Sequence, residues 1–133
     1  MNLEEILDDL SFLDGWEDRY RYIIDLGEQL TTMDESLKTE EAKVHGCMSQ
    51  VWMAATRASG DDPIVTFTAT SDAVIVKGLI ALLMAIYNNR RASEIRSTDH
   101  KAIFAQLQLE GHLSMTRRNG LASMVQRIQT LAA

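Results

Sequence analysis

Near the amino terminus, apolar residues recur every three or four positions, which is the spacing of one face of a helix. The first set consists of Leu3, Ile6, Leu7, Leu10 and Leu13. The second set consists of Trp16, Tyr20, Ile23, Ile24 and Leu30. Asp14 and Glu17 stand at the start of the second set with the spacing of a capping box. The pattern predicts two helices, followed by a polar loop over residues 31–41.

The apolar period changes to two in the middle of the chain, where residues 50–57 and 64–70 are predicted strands. The sequence between them, at residues 59–63, is Ser-Gly-Asp-Asp-Pro, which is typical of a turn. In the second strand, the apolar residues that alternate with threonines are Val65, Phe67 and Ala69. This alternation is typical of a half-buried strand in an antiparallel sheet.

Helical spacing returns after the predicted strands. A long helix is predicted through Tyr87, with Ser71 and Asp72 as candidate N-cap residues. Apolar residues cover almost every face of this helix, so we expect it to be central. Shorter helices are predicted at 93–96 and 99–107. A final helix, starting at Asn119-Gly120, has apolar residues at Leu121, Met124, Val125, Ile128 and Leu131. Helices, then strands, then helices predict an α+β fold, with several helices packed on a small antiparallel sheet.

Composition narrows the class of protein. A length of 133 residues predicts one domain over residues 1–133. A single cysteine cannot form an internal disulfide, which fits a reducing compartment. The acidic start of the chain lacks the positive region of a secretory signal. The longest apolar stretch, residues 74–87, is interrupted by Lys77 and is too short to span a bilayer. We therefore expect a soluble cytoplasmic protein without membrane contact.

The charge is unevenly distributed along the chain. The net charge of -6 argues against non-specific nucleic-acid binding, which needs lysine and arginine against phosphate. Residues 1–41 have 13 acids and three bases, whereas residues 42–133 have six acids and ten bases. Either the two parts neutralise each other across the fold, or they form opposed patches that steer a charged protein partner. Composition leaves both possibilities open.

Cys47, the only cysteine, lies where the polar loop ends and the first strand begins. Such a place suits a nucleophilic thiolate, which needs access and a rigid scaffold. Gly46 removes side-chain bulk beside the sulfur and permits unusual dihedral angles. A protonated His45 would favour the thiolate. A lone cysteine is also often an inert buried residue, so the residues alone leave its role open.

Four groups of residues, in order along the chain, carry a family resemblance. They are Trp16-Glu17 with Arg19-Tyr20 and residues 22–27; Gly46-Cys47-Met48-Ser49-Gln50-Val51-Trp52; residues 71–80; and His112-Leu113-Ser114 with Arg117 and Asn119-Gly120-Leu121. On these residues the chain resembles the SufE family of sulfur acceptors, which work with cysteine desulfurases in iron–sulfur cluster assembly. One departure is Met115, where members of the family often have proline.

The resemblance implies roles for particular residues. Cys47 matches the sulfur-accepting cysteine of the family. Arg117 matches an arginine close to that cysteine and linked to partner contact, and Arg118 is the less suitable of the pair. Asp72 matches a position near the mouth of the same site, although a helix N-cap explains it equally well. Gln50 is expected to support the site through packing and strand pairing rather than chemistry.

The resemblance also implies a function. The chain would accept persulfide sulfur on Cys47 from a SufS-like cysteine desulfurase, stimulate that enzyme and relay the sulfur to a downstream cluster scaffold. It would be a transfer partner rather than an enzyme, with a SufE/IscU-like fold and no cofactor. A monomer and a homodimer are both compatible with the sequence.

Three alternatives compete with sulfur transfer. An IscU-type scaffold shares the fold, but a zinc ion or cluster needs three or four ligands. Cys47 and His45, with Asp72 as a further candidate, are too few, so no metal site is expected. A cysteine hydrolase would need His45 or the distant His112 as its base, and His45 is too near in sequence to reach the sulfur comfortably. A purely structural binding module is the third alternative.

We expect Cys47 to be sheltered in the free protein. A persulfide in open solution is reduced by small thiols, and the apolar neighbours Met48 and Trp52 would help to shield it. Burial also raises the pKa of a thiol and makes it a poor attacker. The loop must therefore open, and Gly46 and the polar segment 31–41 give the backbone the freedom to do so.

Overall fold

The computed structural model describes residues 2–133, apart from the side chain of Glu110. Its helices are α1 (Leu3–Ser11), α2 (Trp16–Glu28), α3 (Val74–Tyr87), α4 (Ala92–Ser97), α5 (His100–Leu107) and α6 (Met115–Ala132). Its strands are β1 (Val51–Arg57), β2 (Ile64–Ser71) and β3 (Arg90–Arg91). Two 3-10 turns, Glu35–Leu37 and Glu110–His112, lie between these elements. The predicted α+β fold, with helices packed on a small antiparallel sheet, is confirmed.

The sheet has the strand order β1-β2-β3, with both pairings antiparallel. The β1–β2 ladder runs from Val51 opposite Ser71 to Arg57 opposite Val65. On the other side of β1, Lys43 forms an isolated bridge with Trp52. The polar loop before β1 therefore returns along the sheet edge, and this return brings Cys47 to the end of the sheet.

Helix α3 is the centre of the core, as its apolar surface predicts. Nine of its 14 residues are buried, so the helix has packing partners on most faces. Helix α2 crosses it closely, because a Cβ atom added to Gly27 would lie 2.6 Å from the main-chain nitrogen of Gly78. A Cβ atom on Gly78 would likewise collide with the main-chain oxygen of Ile23. Two glycines thus permit direct contact between the two backbones.

The predicted starts of α2 and α3 are wrong in their capping residues. Helix α2 has Gly15 as its N-cap, and no side chain caps it, so the proposed capping box of Asp14 and Glu17 does not form. Helix α3 has Ala73 as its N-cap, also without a side-chain cap. Ser71 belongs to β2, and Asp72 bonds to the main chain of Gln50 instead. The residues before α2 and α3 thus include types that often cap helices, but the side chain of Asp72 binds the main chain of Gln50 instead of the start of α3.

Helix α6 begins earlier than the predicted start at Asn119-Gly120. Its first residue is Met115, and the Oγ atom of Ser114 accepts a hydrogen bond of 3.2 Å from the main-chain N–H of Arg117. The first turn is exposed, so it lacks the apolar repeat that marks the rest of the helix. Met115 takes the first helical position, which proline also fits, so this departure leaves the helix intact.

Charged side chains are mostly unpaired among the residues described. The ion pairs there are Arg21 with Asp18 and Lys38 with Glu35, and all four residues belong to the acidic part of the chain. Among the side chains that the structure describes, no ion pair joins this part to residues 42–133. The ion pairs therefore do not support the possibility that the acidic and basic parts of the chain neutralise each other across the fold. Within the same range, no helix combines the length and apolar character that crossing a bilayer requires.

Candidate functional site around Cys47

The loop that carries Cys47 is fixed against α6 by its preceding residue. Gly46 has a φ of +90°, a conformation that side chains disfavour. A Cβ atom at this position would also lie 2.5 Å from the Oγ atom of Ser123, on α6. The expected freedom of Gly46 is thus used in two ways, for the turn of the backbone and for its close approach to the helix.

The thiol of Cys47 is half-buried against the same helix. Its Sγ atom lies 3.6 Å from the main-chain oxygen of Gly120, a long contact with a weak donor. A Cβ atom on Gly120 would lie 3.5 Å from that sulfur, so the glycine leaves a small space beside it. Burial raises the pKa of the Cys47 thiol above its ordinary value. Burial therefore disfavours the thiolate form of Cys47.

Cys47 lines a cavity of about 350 Å³ between its loop and helices α3 and α6. The buried residues of the lining are Val76, Leu79, Gly120, Leu121 and Met124. The remaining lining residues, at its more open side, are Met48, Ser49, Ser114, Thr116 and Arg117. A water molecule occupies about 30 Å³ of liquid, so an additional sulfur atom on Cys47 fits into this volume. The cavity has an apolar floor and a polar mouth.

Arg117 and Arg118 lie in the first turn of α6, but only Arg117 lines the cavity. Both side chains are exposed, and neither has a carboxylate within 4.0 Å among the described residues. The N-terminal end of a helix already carries partial positive charge. An unpaired guanidinium there strengthens the positive potential at the mouth of the cavity. The two arginines thus differ in position, although both carry the same charge.

Asp72 and Gln50 bond to each other beside the cysteine loop. The Oδ1 atom of Asp72 accepts a hydrogen bond of 3.0 Å from the main-chain N–H of Gln50. The main-chain N–H of Asp72 donates to the oxygen of Gln50 at 3.3 Å. Neither residue lines the cavity. Asp72 therefore fixes the backbone three residues after Cys47, and the alternative of a helix N-cap is wrong.

None of the histidines lines the cavity within the described part of the chain. His45 is exposed in the turn before Gly46, and the raised pKa of Cys47 traces to burial rather than to a histidine charge. His112 stacks on Trp16 with ring centroids 4.2 Å apart. The geometry thus brings no general base to the sulfur. The described side chains, which leave out that of Glu110, also contain no group of three or more His, Cys, Asp or Glu that could hold a metal.

Sequence reasoning missed the residues that form the walls of the cavity. The apolar spacing predicts helix positions for Leu121 and Met124, and Val76 and Leu79 belong to the apolar surface of the long predicted helix, but the spacing assigns none of the four to a site. The helix N-cap formed by Ser114 was a usable signal, since serine is a preferred N-cap residue. Nothing in the local sequence indicates that α3 and α6 face the cysteine loop together.

Relatives of this chain are found over nearly its whole length. A family model described as "SufE: Fe-S metabolism associated domain" matches residues 4–132. The chain is 52% identical over 133 residues to an uncharacterized SufE-like protein of Rhizobium meliloti (strain 1021), covering 98% of this chain and 94% of that protein. It is 50% identical over 130 residues to another from Rhizobium etli, covering 96% of this chain and 87% of that protein.

A solved structure shares the architecture. The solution structure of a hypothetical protein from Thermus thermophilus matches with a TM-score of 0.75. The match covers 98% of this chain and 92% of the other, at 18% sequence identity. At that identity the likeness establishes the fold alone.

Proposed function

The chain belongs to the SufE family, whose domain is associated with Fe–S metabolism, and we propose that it accepts sulfur on Cys47. The observation that carries the proposal is the position of the thiol, half-buried at a cavity with an apolar floor and an unpaired arginine at its mouth. The donor is a protein-bound persulfide on a cysteine desulfurase. The receiver is a cluster scaffold further downstream, and the setting is the cytoplasm.

The transfer is a sulfur exchange that needs no oxidant or reductant. The Cys47 thiol first gives up its proton, and its thiolate attacks the terminal sulfur of the donor persulfide. A new S–S bond forms at Cys47 while the donor S–S bond breaks, and the donor cysteine leaves as a thiolate that takes up the proton released by Cys47. The charge of Arg117 favours both the attacking thiolate and the persulfide anion that results. The protein contributes positioning and shelter, and the desulfurase supplies the sulfur.

The raised pKa of Cys47 and its role as attacker are reconciled by movement of the loop. In the free protein, burial raises the pKa of the thiol and so disfavours the attacking thiolate. A partner that contacts the open form better than the closed one shifts the population toward it. Gly46 is the hinge of this motion, because it lacks the side chain that would restrict its backbone at a φ of +90° and that would collide with Ser123 in the closed form. Closing again then returns the persulfide to the apolar cavity.

The test is intact-protein mass spectrometry after incubation with a cysteine desulfurase, pyridoxal phosphate and cysteine. We expect the chain to gain the mass of one sulfur atom, and the gain to disappear after treatment with a reducing thiol. Fragmentation should place the added sulfur on Cys47. A chain that stays unmodified beside a desulfurase that is turning over would contradict the proposal.

A further inference from the structure

Three of the glycines that the structure describes stand where no larger residue fits. A Cβ atom added to Gly27, Gly46 or Gly78 would lie closer than 3.0 Å to a neighbouring atom. At Gly27 and Gly78 that atom belongs to the main chain of the facing helix, and at Gly46 it belongs to the side chain of Ser123. The fold of the free protein therefore requires each of these three glycines.

Gly120 differs from them, because the fold of the free protein does not require it. It is buried in the interior of α6, where glycine is destabilising relative to alanine. A Cβ atom on Gly120 would lie 3.5 Å from the Sγ atom of Cys47 and 3.8 Å from its Cβ atom, which are ordinary van der Waals distances. The three atoms nearest to the added Cβ atom all belong to Cys47. An alanine would therefore fit against the free thiol, and it would crowd Cys47 once that residue becomes larger.

Sulfur acceptance enlarges Cys47 by one heavy atom. The terminal sulfur of a persulfide lies about 2.05 Å from Sγ, whereas non-bonded heavy atoms need a separation of about 3.5–4.0 Å. A methyl group 3.5 Å from Sγ would therefore collide with a terminal sulfur that leans toward α6. It would not touch a terminal sulfur that leans toward the mouth of the cavity, where Arg117 lies. The two orientations of the persulfide thus differ in whether they need a glycine at position 120.

We propose that Gly120 provides the space for the transferred sulfur, an inference that rests on the sulfur acceptance proposed above. The terminal sulfur of the Cys47 persulfide lies over the Cα atom of Gly120, between the loop and α6. There it is enclosed by the apolar floor of the cavity rather than by its polar mouth. Gly120 is thus a specificity-determining residue, since it leaves room for exactly the atom by which the loaded Cys47 exceeds the free one.

The variant Gly120→Ala tests this position, and Gly111→Ala is the matched control. Both changes add one methyl group, but no described atom outside the chain neighbours lies within 4 Å of a Cβ atom on Gly111. Each protein is loaded with inorganic polysulfide, so that loading needs no desulfurase. The Cys47 thiolate attacks a sulfur of the polysulfide, an S–S bond forms at Cys47, and the S–S bond that breaks leaves its electron pair on the shortened polysulfide.

The lifetime of the added sulfur is measured by treating the loaded proteins with 2-mercaptoethanol. Its thiolate attacks the terminal sulfur and carries it away, and Cys47 is released as a thiolate. Mass spectrometry follows the loss of the sulfur. We expect the loss from Gly120→Ala to be at least about fivefold faster than from wild type, which corresponds to the lower end of the cost of one extra methyl group in a packed site. The loss from Gly111→Ala should stay within about twofold of wild type.

The free thiol form separates this role from a merely structural one. The denaturant midpoint of unloaded Gly120→Ala should equal or exceed that of wild type, because alanine favours the helix. Alkylation of the unloaded Cys47 by iodoacetamide should proceed at the same rate within about twofold in all three proteins. The variant should therefore change the loaded form and leave the free form as it is.

Each result supports or overturns the role of Gly120. Equal loss rates for Gly120→Ala and Gly111→Ala would place the transferred sulfur elsewhere and overturn the inference. An unloaded Gly120→Ala protein that unfolds more readily than wild type, or is alkylated as much faster as it loses sulfur, would show that the free protein needs the glycine, and the inference would again be wrong. If wild type gains sulfur from polysulfide but from no desulfurase, the proposed function fails, whereas the loss rates still decide the role of Gly120.

Discussion

Two cavities of the described chain differ in size and in content, and the function proposed above belongs to the smaller one. The larger, of about 620 Å³, lies between β2 and the ends of α1, α2 and α3. Its polar lining consists of amide and hydroxyl side chains, with Arg90 as the one charged residue in that lining. The smaller, of about 350 Å³, contains Cys47 and Arg117. The comparison teaches that a nucleophile with a nearby charge identifies a site better than volume does.

Two asparagines in the lining of the larger cavity, Asn88 and Asn89, bond to strand β2. The Oδ1 atom of Asn88 accepts a hydrogen bond of 2.7 Å from the main-chain N–H of Phe67. The Oδ1 atom of Asn89 accepts one of 2.9 Å from the hydroxyl of Thr66. Asn89 has a φ of 59°, which asparagine tolerates better than most residues. These bonds hold the turn between α3 and β3, so the larger cavity follows from the fold.

The largest expected effect follows from removing the thiol of the smaller cavity. We expect Cys47→Ser to lose sulfur acceptance from a desulfurase completely, because a hydroxyl does not perform thiol exchange. The free energy of unfolding should change by no more than about 1 kcal/mol, since the Sγ contact with Gly120 is long. Mass spectrometry and denaturant unfolding measure the two quantities. A serine variant that still stimulates the desulfurase would contradict the acceptor role.

The next largest effect distinguishes Arg117 from Arg118 at the mouth of the smaller cavity. Arg117→Ala should reduce the rate of sulfur acceptance about tenfold, equivalent to about 1.4 kcal/mol, because the charge beside the cavity is lost. Arg118→Ala is the matched control, with the same charge removed from the neighbouring position outside the lining, and should cost less than about threefold. Single-turnover transfer from a preloaded desulfurase measures both rates. Equal rates for the two variants would remove the assignment of Arg117.

A smaller effect concerns the resting reactivity of Cys47. Burial raises the pKa of its thiol, so alkylation by iodoacetamide at about pH 7.5 should be at least about threefold slower in the folded protein than in urea. The midpoint of the pH profile should lie above the reference value of about 8.5. Addition of a desulfurase that lacks its own cysteine should change the rate. Equal rates in the folded and unfolded chains would show that Cys47 is not sheltered.

The same raised pKa affects stability in alkaline solution. The unfolded thiol ionises first, so the native state holds the proton more strongly. The stabilising contribution is complete below the unfolded pKa of about 8.5 and is lost as the pH rises through the folded pKa. Denaturant unfolding across this pH range measures the effect, and Cys47→Ser should lack this part of the alkaline loss.

The smallest expected effect tests the larger cavity. Thr68→Val places an apolar side chain of nearly the same shape in its lining. The rate of sulfur acceptance should change by less than about 1.5-fold, because substitutions away from a functional site usually have small effects. The same single-turnover assay used for the arginines measures it. A loss as large as that of Arg117→Ala would overturn the contrast between the cavities.

Local pattern was sufficient for the strands β1 and β2 and for singling out Cys47 as the candidate nucleophile, whereas it gave no sign of the short strand β3. Alternation predicts β1 and β2, and a continuous apolar surface predicts the central place of α3. Gly46 and Cys47 stand out because one is needed for an unusual turn and the other is the only thiol. These features depend on neighbouring residues, so the sequence expresses them directly.

The rest of the site depends on contacts between distant segments. Cys47 and Gly120 are 73 positions apart, and no local period reports such a contact. The true start of α6 escapes the pattern because its first turn faces solvent and carries no apolar repeat. Asp72 is a candidate N-cap of α3 because aspartate is a preferred N-cap residue. In the structure, however, its side chain binds the main chain of Gln50 at the end of the sheet.

The placement of Leu121 and Met124 in the floor of the cavity has a consequence for synthesis of the chain. The ribosome makes the thiol long before it makes these two residues. A nascent chain therefore exposes Cys47 without a protected place for a bound sulfur. Shelter arises only once the last helix has left the exit tunnel and folded back onto the loop. The order of translation thus ties the proposed carrying of sulfur to completion of the fold, because a chain that stops before α6 lacks the floor of the cavity.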